Sequence, residues 1–346
     1  MKKYVTQCSI TSFLWILIVC YTTIMTYGQN TLQKYYEYIN EAELAVCREN
    51  YKVAGEFYKQ AFMEFPPFGR DLHFASTLNY KYLHNEEEAL KYAYILRQMN
   101  YDIAQYFLDD TEKEEYPDLQ KKLEMMQDTI KVLVINELEK ALEKLYDADQ
   151  KPRQTYLEYY PEDKNYTYYN NNIRFVDSVN RLELQALYKK YGEIHERNAG
   201  MGFSYGSANL VLLHNTSWLY NPDNIILKEV MKGNFDARCY MTLKERYLNT
   251  AEEMSHYAVL NVTMFGKTLF ILDPEDIEQI NQNRKAINIA ETWDDFKEKV
   301  LHRFYEKNYD FRFQNLFRLF YNSDEENLWK SQIDSGEMRG AYFTKE

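Results

Sequence analysis

The sequence predicts a mainly α fold: helical hairpins in its first third, then a helical region interrupted by one small β-hairpin. Three observations carry this. Apolar residues recur at three- and four-residue spacing over long stretches, the period of helices that bury one face. Only 11 glycines and 7 prolines occur among 346 residues, too few for the many turns of a β-sandwich. One pair of short β-branched runs, Ala258–Met264 and Thr268–Leu272, flanks Phe265-Gly266-Lys267 and reads as the hairpin.

Residues 1–28 read as an export signal. Lys2 and Lys3 precede an apolar run from Ile10 to Met25, and an uncharged stretch then ends in Thr26-Tyr27-Gly28. The run is shorter than the ~20 residues of a spanning helix, so cleavage is expected rather than retention in a membrane. Cys20 would be the modified residue of a lipoprotein, but Val19 stands where a small residue is wanted. The expected mature chain is therefore periplasmic or secreted, with no membrane segment after cleavage. It carries 39 basic against 53 acidic residues and has no dense basic stretch, which argues against nucleic acid as a partner. Cys47 and Cys239 remain, 192 positions apart, and their spacing leaves open whether they pair.

Residues 29–116 form the first folded region. Within 35–101, two units superimpose with a shift of 35, so that Ala54, Tyr58 and Ala61 correspond to Ala89, Ala93 and Leu96. Small residues at Ala54 and Ala61 let one helix lie close to its partner, while Tyr58 fills the groove between hairpins. Pro66 follows, where a helix would have to stop. The segment Tyr51-Lys-Val-Ala-Gly-Glu-Phe-Tyr-Lys-Gln-Ala61 resembles the second helix of a tetratricopeptide repeat. The resemblance implies a helical-hairpin array and a protein- or peptide-binding role. Ile39, Val46, Phe74, Leu78 and Tyr82 would line its inner face. Two units bury their apolar faces only against a neighbour, so this face needs a cover from the rest of the chain.

Residues 117–346 form the second region. Leu119, Leu123, Met126, Ile130, Leu133, Leu138, Leu142 and Leu145 give one apolar face to a helix running from Pro117 to Tyr146, after an acidic linker over Asp109–Glu115. Asp177 to Tyr191 is amphipathic and stops at Gly192. Asn221-Pro222 places a cap and a first-turn proline before a helix ending near Gly233. Ser323 and Glu326 have the spacing of a capping box for a last helix.

Over about 145–300 the chain is similar to a bacterial family of unknown function, numbered 6624 among such domains. The similarity lies in an ordered series of short matches. Asp149-Gln150-Lys-Pro-Arg153 comes first, then Asp177 with Asn180, Tyr191-Gly192, the Gly202–His214 segment and Leu243-Lys-Glu245-Arg246. Asp273-Pro-Glu-Asp-Ile and Asn283-Arg284-Lys-Ala-Ile-Asn-Ile close it. Leu213 and Glu245 depart from the family's Gln and Asp, and its Tyr-Gly-Thr-Gln is reduced to Tyr257-Ala-Val. The resemblance supplies positions and no mechanism.

Asp149, Arg153, Asp177, His214, Glu245 and Arg246 are the candidate site residues. Carboxylate, guanidinium and imidazole together bind anions or run acid–base chemistry, provided the helices converge. The same residue types also tie helices together as a buried ion-pair network, with Asp149 and Arg153 at the required spacing of four. Pro152 lies between them and interferes with the preceding turn. Gly202-Phe-Ser204-Tyr-Gly206 fits a nucleophile elbow by letter, but polar Glu193–Ala199 stands where the elbow needs a buried strand. No cofactor motif and no metal-ligand spacing of Cys or His occurs. Two functions follow as expectations: an exported protein- or peptide-binding scaffold, or a hydrolase of cell-envelope or glycan material that uses the polar cluster.

Overall fold

A computed structural model describes residues 31–159, 168–216, 219–251, 253–265, 267–305, 311, 313, 317–318 and 323–344. The leader and its cleavage site lie outside them. None of the described helices is long and apolar enough to cross a membrane.

The architecture is mainly α. Helix α1 covers 31–47 and packs with α2 (Tyr51–Glu64), α3 (Gly69–Thr77, continuing as a π turn over Leu78–Tyr82) and α4 (Glu86–Gln98). These are two hairpins, and all six residues matched by the 35-residue shift are fully buried. Helix α2 stops two residues before Pro66. The short α5 (Ile103–Tyr106) and α6 (Asp110–Glu115) follow. The expected acidic linker is thus a helix, closed by an Asp109–Glu112 capping box, with Glu112 turned inward onto Lys81 at 3.0 Å.

The single helix expected from Pro117 to Tyr146 is two: α7 (Pro117–Thr129) and α8 (Asn136–Tyr159). The break falls on Ile130, Val132, Val134 and Ile135, four β-branched residues in six, which favour extended backbone. Their backbone pairs elsewhere: Leu133 donates to the Gln98 carbonyl and Ile135 to that of Asn198, both at 2.9 Å. Leu133, expected on the buried face, is 54% exposed, while Leu119, Leu123, Leu138 and Leu142 are buried. Helix α7 packs on α4 and α5, so it belongs spatially with the hairpins.

Next come α9 (Arg174–Tyr191), α10 (Glu196–Ala199), α11 (Ala208–Thr216), α12 (Leu227–Met231) and α13 (Ala237–Thr250). Gly192 ends α9 at φ +77°, a conformation that suits glycine. Asn221 accepts from the Asp223 amide, and Pro222 opens a short 3-10 turn ahead of α12. The hairpin forms as β1 (Val262–Phe265) and β2 (Thr268–Leu272), starting later than expected. Helices α14 (Ile277–Ala286) and α15 (Trp293–Phe304) follow, then β3 (Phe317–Arg318), α16 (Ser323–Asp334) and β4 (Gly340–Thr344). The sheet order is β3-β1-β2-β4, with β3 parallel to β1 and the other pairs antiparallel. Sequence reading missed both outer strands. In the last, a Cβ on Gly340 would lie 2.4 Å from the Ile271 carbonyl oxygen, so only glycine allows this pairing. Glu326, expected in a capping box, reaches Thr268 and Lys330, each at 2.7 Å.

One continuous core runs from Leu32 to Phe313. The inner face of the hairpins is covered by the chain itself: Phe74 meets Phe311 and Phe313, at 5.9 and 5.2 Å between ring centroids, and Tyr82 meets Phe311 at 5.6 Å. A buried ion network crosses the same contact. Lys299, on α15, reaches Glu43 of α1 at 2.6 Å and Glu291 at 2.9 Å, and Glu291 reaches Arg284 at 3.1 Å. Arg238 of α13 clamps Asp71 with both terminal nitrogens, at 2.8 and 2.7 Å, and also holds Asp236. Burial alone would drive Lys299 to lose its proton, but Glu291 and Glu43 outweigh that and hold it charged. Cys47 and Cys239 do not form a disulfide with each other, and burial pushes Cys47 up to about 12.

Candidate functional site

Three helices of the second region meet where α8, α9 and α11 pack on one another. Asparagines fix the approach. Asn180 of α9 donates to the Leu145 carbonyl on α8 at 3.1 Å, and Asn215 of α11 donates to the Asp177 carbonyl on α9 at 2.9 Å. These bonds satisfy buried backbone acceptors and set which residues of each helix face the junction. Asn215 was missed by sequence reading; its only signal was adjacency to His214.

Four of the six candidate residues come together there. Asp149 is fully buried and sits at the centre. Its Oδ1 lies 2.8 Å from His214 Nδ1 and 3.1 Å from Arg153 Nη1, and its Oδ2 accepts from Gln150 at 2.7 Å. Arg153 extends through Nη2 to Asp177 Oδ1 at 2.6 Å. The helix runs on through Pro152, and the spacing of four is realised despite it. Arg153 Nη1 also donates to the Asp149 carbonyl at 2.8 Å, an added backbone contact next to the proline. Both carboxylates are closed off from solvent, whereas the Arg153 and His214 side chains keep 17% and 19% of their surface exposed. His214 is thus hydrogen-bonded and only part-buried, although it ends the apolar run Leu210–Leu213.

Glu245 and Arg246 do not join. Glu245 is buried at the far end of α13, where it accepts from Ser255 Oγ and the His256 amide at 2.6 Å and from the Tyr257 amide at 2.5 Å. Three donors in successive residues make it the anchor of the 255–257 loop. Arg246 is exposed. Their position in α13 puts neighbouring residues on different faces, which sequence order alone does not resolve. Ser204 lies fully buried in a π turn over Phe203–Ser207 that follows helix α10 and no strand. That is not the setting of a nucleophile elbow.

Asp149, Asp177 and His214 bring ligating atoms within 4.8 Å of one another, a grouping their linear spacing conceals. Two carboxylates and an imidazole are the donor set of a hard or borderline divalent ion. Arg153, however, bridges the two carboxylates, so the positive charge between them is already supplied by a guanidinium. A cation placed there would meet Arg153 at close range, and we assign the cluster to the ion pair rather than to a metal. The two carboxylates equally oppose an anionic ligand at Arg153. What remains is the His214–Asp149 pair. A buried carboxylate on Nδ1 fixes the ring's tautomer and orientation, while the other nitrogen, Nε2, points away from Asp149.

Comparison with known proteins finds no matching family model, no matching curated protein and no matching solved structure. The comparisons confirm neither the tetratricopeptide-repeat resemblance nor the one to family 6624.

Proposed function

We propose that this protein is an exported hydrolase acting on glycan or cell-envelope material, with His214 as general base and general acid. The observation that supports it is the His214–Asp149 pair, a fully buried carboxylate orienting a part-exposed imidazole at 2.8 Å. In this reading His214 takes a proton from the attacking water and returns it to the leaving group. Asp149 stabilises the imidazolium, while Arg153, Asp177 and Gln150 are positioning residues that hold the carboxylate. The leader over residues 1–28 supports the compartment. The test is a turnover screen with fluorogenic glycosides, acyl esters and purified cell wall, comparing wild type with His214→Ala and Asp149→Asn. A loss of about 10²–10⁴-fold in folded His214→Ala protein is expected. Equal turnover by wild type and His214→Ala would overturn the assignment.

A second reading, a protein- or peptide-binding scaffold, is supported by a different face. Phe175, Val179 and Leu182 stand at i, i+4 and i+7 of α9 and are 66%, 38% and 58% exposed, an apolar stripe that fits a protein contact. The inner face of the hairpins, the usual recognition surface of such repeats, is taken up by Phe311 and Phe313. A partner whose binding is lost on Leu182→Asp and kept on His214→Ala would favour this reading.

A further inference from the structure

The sheet is covered on both faces and open at one edge. On one face Trp329 of α16 lies against Phe265 and Phe270, at 5.1 and 5.5 Å between ring centroids, and Tyr342 lies 5.9 Å from Phe270. On the other, Val262, Met264, Leu269 and Ile271 belong to the main core, and Phe343 packs against it. Strand β4 ends the order β3-β1-β2-β4, so β2 is its one sheet neighbour among the described residues.

The alternation of bonds along β2 shows which groups of β4 are left over. The Leu272 amide donates to the Asn261 carbonyl on the β1 side, at 2.9 Å, and the Asp273 amide donates to the Arg339 carbonyl on the β4 side, at 3.1 Å. Bonded pairs in an antiparallel ladder recur at every second residue. With Ile271 opposite Ala341 and Leu269 opposite Phe343, those two residues of β4 turn their N–H and C=O groups to β2. Gly340, Tyr342 and Thr344 turn theirs outward, and no backbone partner for them occurs among the described residues. Natural sheet edges are commonly guarded by a lysine, another charge or a proline. The run Gly340-Ala-Tyr-Phe-Thr344 has none of these, and Ala341 and Thr344 are exposed.

We propose that β4 is a self-association edge, which pairs antiparallel with β4 of a second copy so that two sheets join across a twofold axis at Tyr342. In that register Gly340 meets Thr344 of the second copy and Tyr342 meets its own counterpart. Every outward backbone group then has a partner, in three bonded pairs of two bonds each. The same register sets Ala341 against the part-buried Phe343 of the second copy, small against large. No charged side chain lies in the overlap, so the axis brings no like charges face to face, although the chain carries a net charge of −12. An unrelated extended peptide would match the backbone groups, but only a second copy supplies the Phe343 that answers Ala341 on both sides of the axis. The paired strands are short beside the ~20–30 residues a side of a standard interface, so the dimer is reversible and forms at high concentration. The inference is independent of both functional readings.

Sedimentation velocity on the full chain, from about 5 µM to about 0.5 mM, should show monomer passing into dimer. Amide exchange over the same range should slow at Tyr342 and Thr344, while the Ala341 and Phe343 amides, already bonded to β2, stay protected throughout. Thr344→Pro removes one outward N–H from each copy and leaves the ladder to β2 intact, so it should weaken the dimer about tenfold or more. Ala341→Lys, at an exposed position, replaces the small residue under Phe343 and should weaken it as much. A chain that stays monomeric at every concentration overturns the inference. So does a dimer that survives both variants, or one whose formation leaves exchange at Tyr342 and Thr344 unchanged. A dimer abolished by Leu182→Asp would place self-association on the apolar stripe of α9 instead, and would overturn it equally.

Discussion

Two clusters of charge in this molecule are built from the same residue types and differ in their access to water. The core network joins Lys299, Glu43, Glu291 and Arg284 across more than 250 positions of sequence, and Lys299 itself is 1% exposed. The junction of Asp149, Arg153, Asp177 and His214 ties α8, α9 and α11 of one region and leaves its arginine and histidine partly wet. In the first, every charge depends on its partner, because no water can replace a lost one. In the second, the buried members are acceptors and the accessible members are donors, an arrangement that presents an oriented imidazole to solvent. Burial, rather than residue type, separates a fastening from a candidate site.

The largest expected effect lies in the core. Lys299→Met leaves Glu43 and Glu291 buried beside each other without their shared cation, and stability measured by urea unfolding should fall by about 3–5 kcal/mol. Adding Glu43→Gln and Glu291→Gln removes the stranded charge and should recover part of that loss. Arg153→Ala should cost less, about 1–3 kcal/mol, because water can enter from the exposed edge of its guanidinium to solvate Asp149 and Asp177. If Arg153→Ala proves as damaging as Lys299→Met, the junction is a second fastening and the comparison collapses.

Only one of these clusters was legible in the sequence. The repeat register, the break at Pro66, the end of α9 at Gly192 and the hairpin follow from local rules, and each residue involved acts within its own segment. Asp149, Arg153, Asp177 and His214 were singled out by residue type within the short matches to family 6624, and of the four only Asp177 lay on a helix that periodicity predicted. Glu245 misled because a carboxylate next to an arginine looks the same whether it faces a site or anchors a loop. The core network gave no sign: Glu43 and Lys299 are 256 positions apart, and nothing local to either marks it as buried. The break after Thr129 was missed because Ile130 and Leu133 satisfy a helical period that their β-branched neighbours oppose.

A pH experiment sharpens the contrast from the core side. Glu196 is fully buried near Asp236 and Asp71, with Oε2 accepting from the Gly69 amide at 2.7 Å. Burial, with a smaller push from those two carboxylates, raises its carboxyl to about 8, although the Gly69 amide pulls the other way. The folded state thus holds a proton that the unfolded chain releases above about 4.5. The stability this proton confers is complete below pH 4.5 and is lost progressively as the pH rises to about 8. Glu196→Gln mimics the protonated form, so it should melt higher than wild type at pH 8.5 and almost level with it near pH 5. Equal melting temperatures at both values would mean that Glu196 ionises in the folded protein without cost.

The smallest expected effect falls on the residue that the functional reading needs most. His214→Ala removes one of the contacts to Asp149, but Oδ1 keeps Arg153 Nη1 at 3.1 Å and Oδ2 keeps Gln150 at 2.7 Å. The carboxylate therefore stays paired, and the vacated edge is open to water because His214 was already part-exposed. A fall of about 1 kcal/mol or less is expected, the net worth of one hydrogen bond. A residue held for chemistry should be this dispensable to folding, since functional groups are often neutral or unfavourable for stability. Paired urea titrations of His214→Ala and Arg153→Ala give the deciding order. If the histidine variant loses more than the arginine variant, His214 is part of the packing of α8 against α11. The acid–base assignment then loses its only structural support.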